Sequence, residues 1–147
     1  MAAKGTTFIE QLLKHIFWND DIALIGDAAG LLGSATAGSL YVSLHTAEAA
    51  TGDAQTSNEA AYGSYARVAV SRVSGSWTYA AGVMSNAAEV LFAAPTSGSG
   101  TITHASIGTA ASGAGKILYT KALTASKAIS VGDPFSFAIG EIDTSET

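Results

Sequence analysis

Between Leu40 and Ile142 the chain repeats one pattern: a short apolar run, a break rich in Gly, Ser, Thr or Ala, then another run. Leu40, Val42 and Leu44 alternate with Tyr41, Ser43 and His45. That period of two predicts a half-buried strand with His45 on its solvent face. Tyr65–Val73 reads as the next strand, with Val68 and Val70 inward and Arg67 and Ser71 outward. Parity breaks at Arg72-Val73, as at a bulge or strand end. Ser74-Gly75-Ser76 turns into Trp77-Thr78-Tyr79, where Trp77 is a core candidate. Further short runs follow at Val83–Ser85, Glu89–Phe92, Thr101–Ile107, Lys116–Ala122, Ala128–Val131 and Pro134–Ile142. About eight to ten short strands at near-regular spacing predict a mainly β domain, an antiparallel β-sandwich of jelly-roll type. Alternating βαβ units are absent, which argues against a parallel sheet.

Ahead of the strands lies one helix. From Phe8 at 100° per residue, Phe8, Ile9, Leu12, Leu13, Ile16 and Phe17 fall in one half-turn arc, opposite Glu10, Gln11, Lys14 and His15. Thr7 and Glu10 have capping-box spacing. Either the helix ends at Phe17 or Trp18 joins its polar side. Asn19-Asp20-Asp21 supplies the stop. Ile22–Ala37, broken by Gly26, Gly30 and Gly33, reads as a short helical turn or irregular loop that packs on the sheet. The 147 residues are expected to form one domain: 1–37 the helix and irregular arm, 38–147 the sandwich.

Charged residues make up 13% of the chain, against roughly 25% in an ordinary soluble domain. A surface this poor in charge is expected to be partly hidden in a homo-oligomer or a larger particle. The net charge of −5 and the lack of any Lys/Arg cluster argue against nucleic acid as a partner. The chain has no Cys, which removes disulfides, thiolate catalysis and Cys-type zinc sites. The N-terminal segment is too polar for a signal peptide, and no apolar run approaches the roughly 20 residues of a membrane span. An unprocessed cytoplasmic product without membrane contact is the expectation.

Few residues offer chemistry. Gly108–Lys116 superficially resembles a phosphate loop. Ala110 stands where a Gly is needed, Ile117 where a magnesium-binding Ser or Thr belongs, and a strand follows instead of a helix. The segment reads as a flexible connection. His45 and His104, with Asp53 or Glu59, lack the spacing of a metal site. No G-x-S-x-G elbow supports a Ser–His–acid triad, and the only strand carboxylates are Glu89 and Glu141. Tyr62, Tyr65, Trp77 and Tyr79 are the candidates for a sugar-stacking patch, Tyr62 being the best placed, in a loop. The widest signal is the apolar arc of the helix, broader than one packing partner requires. Ile9, Leu13, Phe17, Trp18 and Tyr62 are therefore the expected protein-interface residues, with no catalytic, cofactor or metal residues.

Leu31–Ala47, "LLGSATAGSLYVSLHTA", and Asn58–Arg72, "NEAAYGSYARVAVSR", resemble a family of small bacteriophage proteins often labelled tail fibre proteins. The similarity continues through Gly75–Ser130 and covers most of the chain from about Ile25. The resemblance implies a non-enzymatic virion component, made in the host cytoplasm, whose partners are other virion proteins. It carries over no functional residues. With no repeat or coiled-coil shaft in the sequence, the expected role is a subunit that decorates or cements the capsid or collar. The alternative is a tail-fibre knob recognising a host glycan or protein.

Overall fold

A computed structural model describes residues 2–49 and 54–147. Among them are helix α1 (Thr6–Trp18) and strands β1 (Ser39–His45), β2 (Val68–Ser71), β3 (Trp77–Ala80), β4 (Val83–Asn86), β5 (Val90–Leu91), β6 (Gly100–Gly108), β7 (Ile117–Ile129), β8 (Ser136–Phe137) and β9 (Asp143–Ser145). They form sheets in the orders β2-β1-β6-β7, β3-β4-β9 and β5-β8. The ladders β1–β6, β6–β7, β3–β4 and β4–β9 are antiparallel. The fold is mainly β with an N-terminal helix, as the sequence predicts. The described residues fall into two compact units.

The first unit comprises Met1–Ser39, Ser71–Glu89 and Phe137–Thr147. Helix α1 starts one residue before Thr7. Gly5 is its N-cap, in extended conformation, and no side chain caps it. The capping box is thus not used, because Thr7 already lies inside the first turn. The helix runs through Trp18 and stops at Asn19, whose φ of 63° puts it in the left-handed region. Leu13 and Phe17 are fully buried, and Phe17 meets Trp77 edge to face at 4.6 Å. Trp18 turns back instead of outward, donating its indole N–H to Trp77 O at 3.0 Å. Arg72 closes the helix end. Its guanidinium donates to Ile16 O (2.6 Å), His15 O (2.7 Å) and Ala37 O (3.1 Å), pairing a cation with the carbonyls that a helix C-terminus leaves open. Strands β3 and β4 form a hairpin closed by Ala81-Gly82, both at positive φ, as a two-residue type I′ loop demands.

The second unit comprises Leu40–Val70 and Val90–Ser136. Its core gathers Leu40, Val42, Leu44, Ile102 and Ile107 with Phe92 and Phe135, whose rings meet edge to face at 6.0 Å. Strand β1 departs from the alternating pattern, since Ser43 and His45 are as buried as Leu44. It lies between β2 and β6, so both its edges are paired, and residues 54–60 cover the face that the sequence assigns to solvent. Lys116–Ala122 and Ala128–Val131, two runs in the sequence, merge into the single strand β7. The register against β6 jumps between Ile102↔Lys127 and His104↔Ala122, so extra β7 residues bulge out at the join.

Candidate functional site

The densest polar chemistry lies on the covered face of β1, in the second unit. Ser43 and Ser106 are register partners across β1 and β6, as are His45 and His104. Directly opposed residues project from the same face. Ser43 Oγ and Ser106 Oγ are 2.7 Å apart, and Ser106 Oγ is 2.9 Å from His45 Nε2. His45 Nδ1 lies 2.8 Å from Ser57 O. A carbonyl only accepts, so Nδ1 carries the proton and Nε2 accepts from the Ser106 hydroxyl. Burial, the largest influence on His45, lowers its pKa below the ordinary imidazole range and so favours this neutral form.

Beside it sits Arg67, buried although the sequence places it outward. Its Nε and Nη2 donate to the two oxygens of Glu59 at 2.7 Å each, a bidentate pair. Nη2 also donates to Gly113 O (2.8 Å), and Nη1 to Ala110 O (2.9 Å) and Gln55 Oε1 (3.4 Å). A guanidinium has five N–H groups, and this set occupies them all. Tyr65 donates to Glu59 Oε1 and accepts from Leu44 N, each at 3.0 Å. Burial, first of all, drives its pKa upward. Gln55, fully buried, accepts from Ala110 N and donates toward Tyr41 O and Ser43 Oγ, joining the Arg67 and His45 halves.

This geometry corrects the reading of Gly108–Lys116 as a flexible connection. The loop is pinned: Ala110 and Gly113 turn their carbonyls onto Arg67, while the Ala110 N–H is taken by Gln55. A phosphate cradle presents N–H groups; this loop presents oxygens to a cation already in the chain. Glycine is required for the fit. A Cβ on Gly108 would sit 2.1 Å from Gln55 Cδ, and one on Gly115 2.3 Å from Gln55 Oε1.

The Ser–His arrangement has the distances of an activated hydroxyl but no access. Ser43 and His45 are 0% exposed and Ser106 is 2% exposed, so the hydroxyls are closed to solvent. Both His45 nitrogens are committed, His104 Nδ1 lies 2.8 Å from Thr103 Oγ1, and Glu59 is held by Arg67 and Tyr65. Asp53 lies outside the described residues. Among those described, no three His, Cys, Asp or Glu side chains converge as a metal site, and no helix is long and apolar enough to cross a membrane.

The expected interface residues lie as follows. Leu13 and Phe17 are buried in the first unit, where packing consumes their apolar surface. Ile9 and Trp18 are half-buried on α1. Lys14 lies 5.1 Å from the Trp18 ring and 5.4 Å from the Tyr79 ring, and pairs with Glu10 at 2.6 Å. Tyr62, in the second unit, is buried against Tyr65, and its hydroxyl is buried without a hydrogen-bond partner. The sugar-stacking patch does not assemble as the sequence suggests. Trp77 is fully buried in the first unit, and Tyr62 is buried in the second, so neither offers a free ring face.

Sequence reasoning missed one exposed feature. In the arm of the first unit, Leu24, Ile25, Leu31 and Leu32 all face solvent. This corrects the expectation that the arm packs on the sheet: the backbone closes on itself through Ile22 and Leu31, and these four side chains are left in solvent.

Residues 28–145 match a family model described as podophage GP4 fiber I protein gp80. No curated protein matches the chain.

Proposed function

We propose, from the premise that the chain belongs to the podophage GP4 fiber I protein gp80 family and is a structural component of a phage virion, that it is a non-enzymatic fibre subunit. In this reading, protein–protein contacts hold it in the particle. The family match carries the fibre role; it covers most of the chain and names a fibre protein. The sealed polar cluster supports the non-enzymatic part. Its one Ser–His pair is closed to solvent, and its Arg–Glu pair is spent on holding loops. Such a cluster gives a subunit one fixed shape, which suits a part that must fit its neighbours. In this reading Ile9 and Trp18, half-buried on α1, belong to the contact surface, with Leu13 and Phe17 packed beneath them, while the buried Tyr62 serves the packing of the second unit.

Decoration or cementing of the capsid or collar, in contact with the major capsid protein, is the competing role, because the charge-poor surface suits either. Copy number separates them. Quantitative mass spectrometry of purified virions, referenced to the major capsid protein, is expected to give on the order of a dozen copies or a small multiple of that, as fibre positions around a tail allow. Hundreds of copies would overturn the fibre role in favour of the shell. Saturable binding of purified protein to host envelopes, absent for unrelated bacteria, would add receptor recognition to it.

A further inference from the structure

The arm between Asn19 and Ser34, in the first unit, breaks the usual rule for loops. Leu24 is 80% exposed, Leu32 60%, and Ile25 and Leu31 46% each. Exposed leucines scattered singly need no explanation, but four exposed aliphatic side chains within nine residues of one short arm do.

The arm is also tied down. Ile22 and Leu31 exchange backbone hydrogen bonds, both 2.9 Å. Asp27 Oδ1 accepts from Ala29 N and Gly30 N, and Asp21 Oδ1 accepts from Gly33 N at 2.7 Å. The Asn19 amide bonds both the N–H and the carbonyl of Ser34 at 2.8 Å. Gly30 is needed for this closure, since a Cβ there would fall 2.0 Å from Ile22 O. Leu24 itself has φ 66°, a conformation that favours glycine. The loop thus holds its most exposed leucine in an unfavourable backbone state. No turn of regular hairpin type accounts for this residue as one accounts for Ala81, so the outlier motivates a functional reading of the arm.

Charge selects the occupant. The arm carries Asp20, Asp21 and Asp27, and the chain has no Lys or Arg between Lys14 and Arg67. Two such arms facing one another would bring like charges together, which disfavours a second copy. An anionic lipid surface is disfavoured for the same reason. We infer that the arm is a docking element whose leucines enter an apolar recess rimmed by Lys or Arg on another virion protein. This rests on the virion-structural reading above and names the surface through which the subunit attaches.

The test uses the full chain and purified particles made without it. Wild type is expected to rebind, less strongly as NaCl rises. Leu24→Ser with Leu32→Ser is expected to lower rebinding by about tenfold or more, with an unchanged melting temperature. Asp20→Lys, on an exposed side chain, is expected to weaken rebinding at low salt and less so at high salt. If wild type itself never associates with particles, the virion-structural reading fails and takes this inference with it. If wild type rebinds and the double variant rebinds equally, the inference alone is overturned. A wild-type oligomer that the double variant converts to monomer in sedimentation would overturn it in favour of a second copy. Flotation of wild type, but not the variant, with phosphatidylglycerol vesicles would overturn it in favour of lipid.

Discussion

The polar cluster around Arg67 and the arm around Leu24 invert each other. The cluster holds groups that look chemical — a Ser–His pair, a bidentate Arg–Glu pair, a glycine-rich loop — yet every one is turned inward and answered within the chain. The arm holds nothing reactive, and it turns its aliphatic side chains outward while hydrogen bonds fix its backbone. Residue chemistry alone therefore misleads in both places. What separates them is whether the groups with the most free energy to gain are satisfied internally. The satisfied region is scaffold; the unsatisfied one is where the proposed partner would dock.

The comparison breaks most easily at Arg67. Arg67→Leu leaves the Glu59 carboxylate partly buried without its cation and frees the carbonyls of Ala110 and Gly113. The expected loss is about 3–5 kcal/mol in urea or thermal unfolding. Arg67→Leu combined with Glu59→Leu is expected to cost less than Arg67→Leu alone, since no uncompensated charge remains. A loss below about 1 kcal/mol for the single change would mean the cluster is not the scaffold described. Next is Gly115→Ala, whose Cβ meets Gln55 and Ala110. It is expected to cost about 1–3 kcal/mol. Gln55→Ala should relieve part of that in the double variant, and strict additivity would remove the steric account.

His45 gives a smaller effect with a definite sign. Its folded pKa lies below the unfolded value near 6.5. Below that pH the unfolded chain takes up a proton that the folded chain refuses. Stability is therefore full above about pH 6.5 and falls as pH drops toward the folded pKa. His45→Gln keeps a donor for Ser57 O and an acceptor for Ser106, and should flatten this component between pH 7 and pH 5. Identical slopes in the two proteins would show that His45 does not titrate this way.

How much of this was legible depended on range. The helix arc, its stop at Asn19, Trp77 as core, and most strand positions follow from local periodicity, and all are found. Alternation misplaces both His45 and Arg67 because it assumes one wet face: the segment 54–60 covers His45 on β1, and Glu59 with the carbonyls of Ala110 and Gly113 closes over Arg67 just before β2. That cover comes from residues outside the strands themselves, and no local pattern encodes it. The glycines of Gly108–Lys116 suggest freedom in the sequence, although Gly108 and Gly115 make room for Gln55, which lies far upstream. The exposure of Leu24 and Leu32 is hidden for the opposite reason. An apolar residue in an irregular segment reads as core until the backbone shows that it points away.

The smallest expected effect is the sharpest test of the contrast. Leu24→Gly removes a side chain that is mostly in water and places glycine where φ is positive. Relief of the left-handed backbone favours the folded state by about 1 kcal/mol, and the greater freedom of glycine in the unfolded chain offsets part of it. The net change in stability is expected to lie between zero and a gain of about 0.5 kcal/mol. Ala81→Gly, in the β3–β4 hairpin, shares the positive φ and should behave alike in unfolding. The two variants should part in particle rebinding, where Leu24→Gly is expected to lose affinity and Ala81→Gly to match wild type. A strained leucine kept for packing would instead make Leu24→Gly destabilising. A leucine kept for docking makes the protein no less stable and less able to attach, a combination that a merely structural role does not produce.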